Sequence, residues 1–203
     1  MKALLIATKN KGKVREIADM LAPMGIRVTS LLDHAGMPEI IEDGITFRAN
    51  AAKKAVVIAR HTGLVVMGED SGLEVDALGG RPGVYSARYA GEGADDEANN
   101  DLLLKELSGV PDEKRTARYR CAMALADKDA LVDVVEGACE GRIASVRRGS
   151  NGFGYDPLFL IPSRQKTFGE LDLAVKHTMS HRADALRKFL KLLENYLVRT
   201  EHF

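Results

Sequence analysis

The chain has 203 residues, 45% of them hydrophobic and 29% charged, which suits one soluble domain with a sizeable core. Lys plus Arg balance Asp plus Glu at 29 each, so the overall basic excess of a long nucleic-acid binder is missing, and no apolar run is long enough to span a bilayer. The apolar run 3–7 is too brief for a secretory signal, and Cys121 and Cys139 form neither a CxxC pair nor a metal-ligand spacing, so a cytoplasmic protein with two small buried thiols is expected.

In chain order, residues 2–7 predict a short buried strand and residues 8–12 a polar turn. Val14, Ile17, Ala18 and Leu21 recur at helical spacing, and Pro23 with Gly25 closes that helix. Residues 26–32 read as a second strand and 33–44 as a loop. Thr46 can cap an Ala-rich helix through Arg60, with His61, Thr62 and Gly63 as its stop. Residues 64–67 are strand-like and run into Gly68-Glu69-Asp70-Ser71-Gly72, after which a strand resumes over 73–78. Asp95, Asp96 and Glu97 open a helix ending near Leu107, with acids where the helix dipole favours them. Ala117, Tyr119, Cys121, Met123 and Leu125 share one parity, a strand pattern over 115–126. A turn at 127–129 joins it to a second long strand, 131–142, as an antiparallel hairpin. A Gly-rich loop around 149–154 and a short strand to Ile161 follow, and Leu186, Phe189, Leu190, Leu193 and Leu197 mark an amphipathic C-terminal helix. With no repeat or linker, the pattern predicts a single α/β domain over 1–203 with a mixed sheet, and the loop positions suit two lobes with a cleft between them.

Five clusters carry chemistry. Thr8-Lys9-Asn10-Lys11-Gly12-Lys13 sits between a strand and a helix, where main-chain N–H groups and cationic side chains make a phosphate cradle, although it is not a Walker A loop. Glu42, Glu69 and Asp70 are carboxylates of the kind that hold Mg²⁺ together with waters and substrate phosphates. Asp43 beside Glu42 reads as an ordinary acidic turn. Lys53 and Lys54 lie in the Ala-rich helix, and spacing alone does not choose between them. Glycines flank Phe153 in Gly152-Phe153-Gly154-Tyr155-Asp156-Pro157, which lets a base approach the ring. Lys176 and Ser180-His181-Arg182 offer donors near the start of the last helix. Each cluster has a plainer explanation as a turn, a cap or a solvated face. Together they are what an enzyme acting on a nucleoside triphosphate needs.

At this point the sequence resembles the inosine triphosphate pyrophosphatase family. Matching residues run in register along nearly the whole chain: Thr8, Asn10, Lys13 and Glu16; Glu42, Gly44, Thr46, Phe47, Asn50, Ala51, Lys54 and Ala55; Asp70 to Leu73; Leu78 to Gly80, Pro82, Gly83 and Tyr85 to Tyr89; Gly152 to Pro157; and Lys176 with Ser180 to Arg182. The resemblance implies an elongated α/β homodimer with a cleft that takes a small nucleotide. It implies Thr8, Asn10, Lys13 and Lys54 on the triphosphate, and so favours Lys54 over Lys53. It implies Mg²⁺ on Glu42, Glu69 and Asp70, Asp70 activating water, and Ser71 touching substrate. Phe153 would stack on the base, with Asp156, Lys176, His181 and Arg182 reading its edge. Many bacterial members have Asp-Asp-Ser-Gly where this chain has Glu69-Asp70-Ser71-Gly72, which leaves open how the two acids divide their roles.

The expected reaction is attack of water on the α-phosphorus of a non-standard purine triphosphate such as ITP, dITP or XTP, with pyrophosphate as the leaving group. A donor from Arg182 or Lys176 would donate to the six-oxygen of hypoxanthine and meet adenine's amino group unpaired. Two rivals are weighed: a Maf-type pyrophosphatase, which the 153–156 and 180–182 motifs disfavour, and a nucleotide-sensing or RNA-binding module, which leaves the acids unexplained.

Overall fold

A computed structural model of the chain describes residues 3–200. Five α-helices and seven strands are described there. In chain order they are β1 (Ala3–Ile6), α1 (Lys11–Leu21), β2 (Arg27–Ser30), α2 (Phe47–Thr62), β3 (Val66–Val75), α3 (Asp96–Glu106), β4 (Thr116–Ala126), β5 (Leu131–Ile143), β6 (Phe159–Ile161), β7 (Lys166–Thr167), α4 (Leu173–Met179) and α5 (His181–Thr200). The strands form one mixed sheet in the order β2-β1-β3-β4-β5-β6-β7. β1 pairs in parallel with β2 and β3, and β6 pairs antiparallel with β5 and β7.

The chain divides into two compact units. The first takes the described residues up to Asp70, then Cys121–Gly137, then those from Arg182 onward. Its core joins Leu4 and Ile6 of β1, Ile17 and Leu21 of α1, Met67 of β3, Cys121, Met123 and Leu125 of β4, and Leu186, Phe189 and Leu193 of α5. The second takes Ser71–Arg120 and Ala138–His181. Its core is more aromatic, with Tyr119, Phe159 and Phe168 in mutual ring contact.

Local chemistry explains the element ends. Asn10 caps α1 by accepting from the Lys13 amide, Thr46 caps α2 by accepting from the Ala49 amide, and Asp95 caps α3 by accepting from the Ala98 amide. Gly63 ends α2 at φ 72°, a left-handed conformation that suits glycine. The predicted hairpin is β4 and β5, adjacent in the sheet and joined by a turn in which Asp127 accepts from the Asp129 and Ala130 amides.

Three sequence expectations change. Residues 66–75 form one continuous strand where two strands and an intervening loop are expected. The polar run Glu69-Asp70-Ser71 suggests a break, but cations from other elements satisfy its carboxylates, so the ladder continues through it. The first strand begins at Ala3, and Lys2 lies outside the described residues. Helix α4, a single element of seven residues around Lys176, and the two-residue β7 are additions too short to carry a readable period.

Candidate active site

Consecutive residues in a strand point to opposite faces, so Glu69 and Asp70 of β3 look in opposite directions. Both lie in the first unit, and each face has its own partners.

The Glu69 carboxylate is fully buried. Lys13 of α1 lies 2.7 Å from its Oε2, while Arg182 of α5 and the Cys121 thiol donate to its Oε1 at 3.1 and 3.3 Å. Arg182 also donates to Glu16, one turn after Lys13 on α1, and both of those side chains are buried. Burial opposes charge on Glu69 more than any other influence. The Lys13 ammonium and the Arg182 guanidinium outweigh it and hold the carboxyl well below the usual range. Burial likewise works against Lys13, yet the Glu69 and Asp70 charges raise its ammonium above the ordinary value. The Cys121 thiol is pushed far up by burial and then by Glu69, so it stays a protonated donor.

On the other face, helix α2 delivers two residues one turn apart, Asn50 and Lys54. Lys54 Nζ donates to Asp70 Oδ1 at 3.1 Å and to Glu42 Oε2 at 2.9 Å, joining the strand to the loop before the helix. Asn50 Nδ2 donates to Asp70 Oδ2 at 3.1 Å and to the Gly44 carbonyl at 3.3 Å, and its Oδ1 accepts from the Gly44 amide at 2.8 Å. A Cβ at Gly44 would meet Asn50 Oδ1 at 2.5 Å, so glycine is what lets this clamp close. Burial raises the Asp70 carboxyl above its ordinary range; Lys54 and Lys13 oppose that, and Glu42 and Glu69 add to it. A carboxylate that holds a proton more readily than usual is suited to accept one.

In the second unit, Asp156 Oδ2 accepts from the Phe153 amide at 3.0 Å and from Lys176 Nζ. The Lys176 ammonium lies over the Phe153 ring, 5.3 Å from its centroid, and 5.4 Å from that of Phe168. Gly152 has φ 79°, and a Cβ there would strike the Asp156 carboxylate at 1.9 Å. Phe153 stays half-buried, an aromatic face with a cation and a carboxylate beside it.

These two constellations, carboxylates with lysines and an aromatic platform with a buried Lys–Asp pair, stand on a chain with well-marked relatives. The sequence model described as the Ham1 family matches residues 4–192. The chain belongs to the Ham1 family. It is 50% identical over 198 residues to the dITP/XTP pyrophosphatase of Desulforamulus reducens, covering 98% of each chain. It is 54% identical over 194 residues to the protein of the same description from Bacillus licheniformis, covering 96% of this chain and 99% of that one. Among solved structures, a HAM1 protein from Coxiella burnetii superposes with a TM-score of 0.84 at 38% identity, covering 96% of this chain and 100% of that one.

The expected site residues of this Ham1 chain differ widely in burial. Thr8 and Asn10 shape the turn before α1: the Thr8 hydroxyl accepts from the Asn10 amide, and Asn10 caps the helix. Lys9 and Lys11 are exposed and Gly12 is half-buried beside them. Lys54 is the buried lysine of its pair, whereas Lys53 meets Asp43 at the surface at 2.6 Å. Ser71 follows Asp70 in β3 and is half-buried. Gly154 takes φ 62°, and Tyr155 is a core residue whose hydroxyl donates to the Ser86 carbonyl at 2.8 Å. His181 is buried and stacks on Tyr119 with centroids 4.6 Å apart. Arg182, expected at the base edge, meets the carboxylates of Glu16 and Glu69. Glu69, expected beside Glu42 and Asp70 as a third metal carboxylate, faces away from Asp70. Among the described residues no three His, Cys, Asp or Glu side chains stand together as a metal group. Sequence reasoning passed over Asn50, Glu16 and Cys121 as site members. The first two carry a readable signal, helical spacing of one turn from Lys54 and from Lys13; Cys121 carries none.

Proposed function

We propose that the chain hydrolyses non-standard purine nucleoside triphosphates, dITP, ITP and XTP, to the monophosphate and pyrophosphate. The observation that carries this reading is the Asp70–Lys54–Glu42 constellation, with Asn50 on the same carboxylate, in a chain about half identical to proteins described as dITP/XTP pyrophosphatases.

The donor chemistry of Glu42 and Asp70 fits Mg²⁺, which takes one or two carboxylates with waters and phosphate oxygens and does not need a closed cage of three. Bound there, the ion would supply charge neutralisation on the phosphate oxygens. Lys13 and Lys54 bring further positive charge to the polyphosphate. Asp70 accepts the proton of the water as its oxygen bonds to the α-phosphorus; the Pα–O–Pβ bridge breaks and pyrophosphate departs. The Asn50 amide fixes Asp70 Oδ2 and leaves the carboxylate one orientation in which to work. Glu69 holds Lys13 and Arg182 in place from the other face of the strand. The Phe153 ring carries the base, and Lys176, oriented by Asp156, donates to the purine six-oxygen. A homodimer in the cytoplasm completes the proposal; no helix among the described residues is long and apolar enough to cross a membrane.

Pyrophosphate release from inosine, adenosine, guanosine and a pyrimidine triphosphate, each with and without Mg²⁺, tests the reading. Fast Mg²⁺-dependent release confined to inosine triphosphate is the expected result. Equal or absent release across the four would refute it.

A further inference from the structure

Helix α3 has an unusual interior. In its first turns the buried residues are amides, Asn99 and Asn100, with Leu103 following as an apolar anchor. Buried amides are retained where they hold something, because leaving their groups unpaired is costly. Each of these two holds a different stretch of backbone in the second unit. Asn99 accepts from the Ala90 amide at 2.8 Å and donates to the Ala87 carbonyl at 3.3 Å. Asn100 Nδ2 donates to the Gly154 carbonyl at 2.9 Å and to the Asp96 carbonyl at 2.8 Å. One turn earlier, Asp96 Oδ2 accepts from the Gly154 amide at 2.7 Å. Both polar groups of one residue, Gly154, are therefore taken by residues i and i+4 of one helix. Arg147, upstream of the same loop, donates to Asp101 Oδ1 at 2.8 Å and to the Glu97 carbonyl at 3.1 Å.

Gly154 follows Phe153 directly, and the Phe153 amide is tied to the Asp156 carboxylate that also receives Lys176. Where Gly154 is pinned decides where the Phe153 ring and its Lys176 neighbour stand. We propose that Asp96 and Asn100 are positioning residues for the base platform, pinning both backbone groups of Gly154 so that Phe153 is held ready for a purine that neither side chain touches. This rests on the reading of Phe153 as the platform.

Two variants test it. Asn100→Asp is nearly isosteric but has no donors for the two carbonyl oxygens. Asp96→Ala removes an exposed side chain and only the Gly154 amide bond, so it is the variant expected to fold in any case. In each, amide exchange over 152–156 should quicken while exchange in β4 stays as in the unaltered protein. KM for inosine triphosphate should rise about fivefold for one hydrogen bond lost, with kcat retained. Phe153→Ala is the control for the platform. Unchanged exchange over 152–156 in both variants overturns the proposal, as does faster exchange with unchanged KM when Phe153→Ala raises KM. If Phe153→Ala itself leaves KM unchanged, the platform reading fails and the positioning role falls with it.

Discussion

Glu69 and Asp70 are neighbours with the same functional group and opposite tasks. What separates them is the alternation of the strand: one carboxylate is delivered to Lys13 and Arg182, the other to Lys54 and Asn50. Asp70→Asn keeps the shape and removes the acceptor for the water's proton. Turnover should fall by about 10²–10⁴-fold with nucleotide affinity largely kept, as read from pyrophosphate release beside calorimetric binding. The same substitution turns an amide NH2 towards Lys54 or Asn50, both of them donors, so some loss of stability should accompany it in denaturant unfolding. Arg182 differs. Removing it leaves buried Glu16 and Glu69 without their shared cation, and breaking such a buried pair costs roughly 3–5 kcal/mol. Arg182→Met should show that loss in denaturant unfolding. A stability within 1 kcal/mol of the unaltered protein, roughly the size of a surface effect, would contradict the network.

At the scale of elements, the contact that matters most for the acids is α2 on β3. A Cβ on Gly68 would stand 2.0 Å from the Ala51 carbonyl and 2.7 Å from the Ala55 amide, both main-chain atoms of α2. Glycine there lets the helix approach closely enough for Asn50 and Lys54 to reach Asp70. Gly68→Ala should therefore destabilise by about 1–3 kcal/mol, the usual cost of overpacking, and slow turnover through the displaced helix. Unfolding curves and pyrophosphate release on the same preparation check both halves. The caps of α1, α2 and α3 and the β4–β5 hairpin were legible because each is written in a few adjacent residues, such as Thr46 three positions before Ala49. The unity of β3 was not. Its polar middle mimics a loop, and the cations that satisfy it come from residues 13, 54 and 182, distant in sequence.

For the whole molecule, these buried carboxylates make stability depend on pH with opposing signs. Glu69 titrates below its ordinary value of 4.5, so its contribution is complete above that value and is lost as pH falls through and below it. Asp70 titrates above its ordinary value of 3.8, so its charged form is a penalty at neutral pH that acid relieves. Glu69→Gln should be less stable than the unaltered protein at pH 7, and the gap should narrow towards pH 3 in denaturant titrations run at each pH. A gap that stays constant would mean the Glu69 charge contributes nothing. The α/β class, most element positions, the family and the charged side chains were legible along the chain alone, because period, capping and motif spacing are local properties of it. The fold was needed to bring Lys54 onto Asp70 and Glu42, to join Arg182 to Glu16 and Glu69, and to show that α3 pins the loop after Phe153. Those pairings are made between residues far apart in the chain, where burial, and no pattern along the sequence, selects the partner.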